Sequence, residues 1–180
     1  MTLSDPTAST PTFTAPIVSA VGASLKFQLV VNDGVHDSNP SQVTITVQNV
    51  NDPPRCDLAQ PSLSTLWPPN HNLNLISIRG MTDPNNEDVV ISTAGVTQDE
   101  PTTGLGDDDS SPDAVIAGSA VWLRAERAED GNGRVYRVGF TANDGQGGSC
   151  SGFVNVTVPH DIKPATPAVD SGHAYDSTQP

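Results

Sequence analysis

The chain has 180 residues, only 4% of them aromatic, and carries a formal net charge of −13 with a pI near 4.3. That balance argues against nucleic-acid binding, which needs basic patches, and against an anionic membrane surface. It suits a solvated surface and hard cations. No apolar stretch approaches the length of a membrane span.

Residues 1–50 hold only part of a module. Met1-Thr-Leu-Ser-Asp shows no signal-peptide pattern and reads as an expression start or the edge of a fragment, so any export signal is expected upstream. Pro11 to Pro16 (PTFTAP) reads as a short strand bounded by prolines. Leu25–Asn32 and Gln42–Gln48 alternate apolar with polar residues, which predicts antiparallel strands buried on one face. The Gly-, Asp- and Asn-rich stretch from Asp33 to Ser41 is expected to connect them as a hairpin. So few strands cannot close a sandwich, and something else must cover the apolar face.

Residues 51–54 form a linker stiffened by Pro53 and Pro54. Beyond it, residues 55–159 read as a complete module. Strands are expected near 56–66, 73–79, 88–97, 114–117, 120–127, 133–142 and 150–158. Turns at Asp83-Pro84-Asn85-Asn86 and Asp130-Gly131-Asn132-Gly133 fit hairpins. Residues 160–180 are polar, lack alternation, and are expected to be an extended or disordered tail.

Two segments repeat each other. Asn32-Asp33-Gly34 and Asn143-Asp144-Gly145 lie 111 positions apart (144 − 33), and the flanking apolar residues keep that offset. Leu25, Phe27 and Leu29 match Tyr136, Val138 and Phe140, and Val43, Ile45 and Val47 match Val154, Val156 and Val158. A period of this length marks tandem domains rather than a short solenoid unit.

In the first half, PTFTAP and FQLVVNDGVHDSNPSQVTITVQNVNDPP carry a resemblance; in the second, LWPPNH, TDPNNED, TQDEP, GLGDDDSSPDA, LRAER and GRVYRVGFTANDGQGGSCSG do. Over residues 10–160 or so the chain resembles bacterial extracellular immunoglobulin-like modules of the PKD-like and cadherin-like type. The resemblance implies an all-β fold of tandem immunoglobulin-like β-sandwiches, the first incomplete at its N-terminus. It also implies a secreted or cell-surface setting. In such a sandwich the first and last strands lie at neighbouring edges, where Cys56 and Cys150 can form a disulfide. A bridge would stabilise by about 4–5 kcal/mol in the chain-entropy picture and would imply export; the alternative is two buried free thiols.

Cadherin-like repeats bind calcium at Asn-Asp linkers, so the resemblance implies a Ca²⁺ site at Asn51 and Asp52, with Asp33, Asp37 or Asp83 as partners. The alternative is ordinary turn chemistry. A second candidate is the run of Asp99, Glu100, Asp107, Asp108, Asp109 and Asp113, broken by glycines. Hard cations take several oxygens from such a loop, though the spacing is not that of an EF-hand. The alternative is a solvated acidic loop. Asp33 and Asp144 follow strand ends and form turns, and Asp144 could also serve a cation.

Alternation places Trp122 on an outer face, either as a sugar or partner contact or under Arg137 as a cation–π shelf. Trp67 is expected to plug one end of the sandwich. His36, His71, His160 and His173 are scattered, without zinc-ligand spacing, nucleophile elbow or P-loop. The expected function is therefore non-catalytic: a structural or adhesion module of a larger secreted or surface protein, stiffened by calcium. Its expected partners are neighbouring domains and a surface protein or glycan. Two alternatives are a carbohydrate-binding module of a secreted hydrolase and an assembly subunit completed by strand exchange through the incomplete first module.

Overall fold

The structure is a computed structural model that describes residues 1–104, 109–162 and 167–180. Among these residues all regular structure is strand, in antiparallel sheets. No helix among the described residues is long and apolar enough to cross a membrane. The chain divides into two compact units, residues 1–52 with 84–87, and residues 53–83 with 88–180.

The first unit is built on one hairpin. Strands β1 (Ala23–Leu29) and β2 (Ser41–Val47) pair antiparallel, with Leu25 opposite Ile45 and Phe27 opposite Val43. Residues 11–16 form no strand. Pro11 and Pro16 have no N–H to give a ladder, and the segment instead sets the Phe13 ring against Phe27, with centroids 5.0 Å apart. Asn85 ties this unit together. Its amide donates to the Val18 carbonyl and to Asn49 Oδ1, and its Oδ1 accepts the Asp52 N–H at 2.7 Å.

The second unit has two four-stranded sheets and is sandwich-like. One sheet runs β3 (Gln60–Pro61), β4 (Leu73–Arg79), β7 (Ala120–Arg124), β6 (Ala114–Ala117). The other runs β10 (Tyr175–Asp176), β5 (Val90–Gln98), β8 (Arg134–Asn143), β9 (Ser149–Val158). Both sheets send alternate residues into one core. Ile76, Ile78, Val121 and Leu123 come from the first, and Val96, Val138, Phe140, Val154 and Val156 from the second. The Cys56–Cys150 disulfide joins the start of the unit to β9, with Cα atoms 6.0 Å apart.

Several expectations are corrected here. The segment 56–66 gives only the two-residue β3 and a parallel bridge from Thr65 to Thr157, because a turn at 57–58 and the proline at 61 break the ladder. The turns at 83–86 and 130–133 are not hairpins: β4 and β5, like β7 and β8, belong to different sheets. Part of the 160–180 tail is built into the fold. Residues 175–176 add a strand to β5, Ser177 exchanges backbone bonds with Val96 and Ala114, and the Ser171 N–H donates to Asp99. Two residues are too few for alternation to show in the sequence. At the sandwich end Leu66 is buried, while Trp67 is 41% exposed and does not plug it.

Candidate functional site

The repeated triplet folds the same way twice. In the first unit Asn32 Oδ1 accepts the Gly34 N–H, and Asp33 Oδ1 accepts those of Val35 and His36. In the second, Asn143 Oδ1 accepts the Gly145 N–H, and Asp144 Oδ1 accepts those of Gln146 and Gly148. Gly34 and Gly145 both take positive φ, 97° and 75°, where a side chain would be strained. The His36 and Val35 amides hold the Asp33 carboxyl below its ordinary range. Register repeats as well. Phe27 opposite Val43 becomes Val138 opposite Val154, and Leu25 opposite Ile45 becomes Tyr136 opposite Val156.

Asp144 is buried. Within the second unit one of its carboxylate oxygens lies within 4.8 Å of one from Asp83. Asn51 is half-buried, and Asp52, exposed, uses its backbone N–H on Asn85. The sequence reading named Asp83 and Asp144 separately; the fold brings their carboxylates together.

The acidic run is dispersed by the fold. Asp107 and Asp108 lie outside the described residues. Asp99 accepts the Val135 and Ser171 N–H groups, one on each oxygen. Glu100 accepts the Ala128 N–H at 2.8 Å and pairs with Arg134 Nε at 3.2 Å. Asp113, fully buried, lies 2.9 Å from Arg134 Nη1 and accepts the Gln98 amide at 2.7 Å. Asp109 hydrogen-bonds Glu126.

Two of these acids, Glu100 and Asp113, meet at Arg134, fully buried on β8 at the inward parity of Tyr136 and Val138. Burial works against its charge. The Tyr136 hydroxyl and the Asp113 and Glu100 carboxylates outweigh that and keep it firmly protonated. Burial pushes the Asp113 and Glu126 carboxyls above their usual range, and the Tyr136 hydroxyl above its own. Tyr136 donates to the Arg124 carbonyl and accepts from Arg134 Nη1, so its hydroxyl is satisfied.

Glu126 also reaches outward. Its Oε2 lies 3.0 Å from His71 Nδ1. His71 sits at φ 60°, a costly conformation for histidine. It is held by its own N–H donating to the Ala125 carbonyl and by Arg124 donating to its carbonyl. Sequence reading missed Arg134, Glu126, Gln98 and Tyr136 as one group. The available signal was an arginine at an inward strand position, which demands buried counter-charges.

Trp122 faces outward at 37% exposure, as alternation predicts. Leu75 of β4 and Val115 of β6 stand directly opposite it on either side, which makes an exposed apolar row across three strands. Arg137 does not shelter it. Its guanidinium stacks over Phe153 instead, 3.5 Å from the ring centroid, because Arg137 lies in the other sheet.

The chain matches no protein-family model and no curated protein.

Proposed function

We propose that this chain is a non-catalytic, extracellular structural or adhesion segment of a larger secreted or surface protein, made of tandem immunoglobulin-like, PKD-like modules. The observation that carries this reading is the hairpin that occurs in both units with the same register and the same Asn-Asp-Gly turn. Further support comes from the strand order of the second unit. Lettered in chain order from β3, its sheets read A-B-E-D and C-F-G, the immunoglobulin constant-type arrangement, with β10 beside C. Tyr136, near the start of strand F, bonds back to the Arg124 carbonyl at the end of strand E, in the manner of a tyrosine corner. The disulfide fits an oxidising compartment.

Calcium belongs to this reading as a stiffening ion. Asp83 and Asp144 supply carboxylate oxygens within 4.8 Å of each other, the donor type that Ca²⁺ takes. The test is thermal unfolding in EDTA and in millimolar calcium, for the wild type, Asp83→Asn and Asp144→Asn. A calcium-dependent rise of several degrees that both variants lose supports the ion. Equal melting in both buffers removes it and leaves an ion-free spacer.

A second reading, carbohydrate binding, is favoured by the exposed row of Leu75, Trp122 and Val115. A polysaccharide pull-down that Trp122→Ala abolishes supports it, and no retention on any glycan removes it.

A further inference from the structure

The disulfide joins the entrance of the second unit to its last long strand. Cys56 follows closely on Pro53, where the unit begins, and Cys150 is near the start of β9. Strands β3 to β8 all lie between the two cysteines. A pull on the two flanks of the unit therefore has a short covalent route: residues 53–56, the sulfur–sulfur bond, then residues 150–158. That route has almost no slack. The cysteine Cα atoms are 6.0 Å apart. β9 is already extended, paired with β8 without a break from Ser149 opposite Asn143 to Val158 opposite Arg134. A strand rises about 3.4 Å per residue and a fully drawn chain about 3.6 Å, so residues 150–158 can lengthen by only about 1–3 Å.

We infer that the second unit is a tension-bearing link, in which the Cys56–Cys150 bond delivers the load directly into β9 and keeps the sandwich core out of its path. Load that enters β9 at Cys150 and leaves it at Val158 runs along one strand. It shears neither the β8–β9 ladder nor the packing of Ile76, Val121 and Leu123 against Val138 and Val156. Tension from the C-terminal side first strips Tyr175 and Asp176 from β5 and then draws on Val158. One competing route exists through hydrogen bonds. Ser64–Leu66 runs parallel to β9 at Thr157: the Leu66 N–H donates to the Thr157 carbonyl at 2.8 Å, and the Thr157 N–H to the Ser64 carbonyl at 2.9 Å. Load reaches that patch only through residues 57–64, which hold a turn at 57–58 and the two-residue β3. The sulfur route is shorter and covalent, so it takes up tension first.

This load path deepens the structural-segment reading and rests on it, since a larger protein must supply the tension. The test is single-molecule pulling at constant force on the full oxidised chain, held through handles at its two ends, with a small-molecule thiol in the buffer. Both cysteines are half-buried, within reach of such a reductant. A thiolate breaks the bond by attacking one sulfur, and tension along the sulfur–sulfur axis hastens that attack. Each reduction is expected to release a step of about 300–330 Å: the separation of 94 residues at about 3.3–3.6 Å each, less the 6.0 Å already spanned. The step rate is expected to rise with force and, at each force, in proportion to thiol concentration. Cys56→Ala/Cys150→Ala is expected to release the same length without thiol; where that variant does not fold, the oxidised chain carries the test alone. A rate independent of force, a rate that ignores thiol concentration, or no step in thiol at any force would each overturn the path and assign the load to Ser64–Leu66 and Thr157. Free thiols in protein taken unreduced from its native cells would instead defeat the extracellular reading and leave the measured path intact.

Discussion

Replacing Arg134 with methionine tests whether the interior of the second unit is organised by one cation. The side chain is fully buried, and Met keeps much of its apolar length. What is lost is the 2.9 Å contact with Asp113 and the 3.2 Å contact with Glu100, both carboxylates buried. Gln98 still donates to Asp113 and Ala128 still donates to Glu100, so neither is left bare. Breaking a buried pair from one side costs about 3–5 kcal/mol, because the remaining charge stays without its counter-ion. For a unit of this size that is a fall in Tm of roughly 10–20 °C. The assay is thermal unfolding of the oxidised protein by circular dichroism.

The pH dependence separates this mechanism from simple loss of packing. Burial raises the folded-state Asp113 and Glu126 carboxyls. A raised carboxyl contributes stability that is fully present below the unfolded-state value and is lost as pH rises through the folded one. Arg134 opposes that rise at Asp113, so Arg134→Met pushes the carboxyl further up and widens the window. The variant therefore gains more than the wild type on acidification from pH 7 to 5, and the gap between the two narrows. The exposed aspartates with depressed values, Asp5, Asp33 and Asp176, are common to both proteins and cancel in the comparison. Arg134→Met/Asp113→Leu, which removes both partners, is expected to recover at least half of the loss. A variant melting within 2 °C of wild type, or a gap that stays constant between pH 7 and 5, would refute the reasoning.

Other perturbations read other parts of the fold. Cys56→Ala/Cys150→Ala opens a loop with a sequence separation of 94 and is expected to cost about 4–5 kcal/mol, measured by urea unfolding against the oxidised wild type. Deleting residues 167–180 strips β10 from β5; a loss of about 2–5 kcal/mol is expected, with faster amide exchange along Val90–Gln98 as the direct readout. Gly80→Ala drives a Cβ into the Leu58 carbonyl oxygen at φ 94° and is expected to cost more than 2 kcal/mol by the same unfolding assay. Trp122→Ala, on an outer face, is expected to cost under about 1 kcal/mol, so lost ligand retention in that variant would not be a folding defect.

Much of the strand pattern is legible because alternation is a local property. The expected 73–79, 114–117, 133–142 and 150–158 fall within a residue or so of β4, β6, β8 and β9. Trp122 is placed outward by the same parity. What was not legible depends on residues far apart in the chain. Asp99, Glu100 and Asp113 looked like one charged loop because they are neighbours in sequence, but they are bound by groups spread along the chain: Arg134 and the Val135 amide on β8, the Ala128 amide, and the Ser171 amide. Arg137 and Trp122 stand 15 positions apart, yet belong to different sheets. The turn at 83–86 has hairpin chemistry and makes a sheet-to-sheet crossing, since turn residues fix a local bend and not the next strand's partner. The approach of Asp83 to Asp144 is of the same kind, visible only once two loops are placed.

The two copies of the hairpin separate what is local in this fold from what is not. The Asn and Asp side chains close the same turn in both units through bonds spanning two to four residues, and the register from Leu25–Ile45 or Tyr136–Val156 onward follows from that closure. None of those bonds needs the core. The core needs contacts from β4 and β7, which the second unit provides and the first does not. The turn is therefore the sensitive point of the first unit. Asp33→Ala removes the acceptor for Val35 and His36 and is expected to loosen the pairing of β1 with β2, read as faster amide exchange across 23–29, although Asp33 is exposed. Unchanged exchange across 23–29 in that variant would show that the strand pairing, not the turn, holds the register.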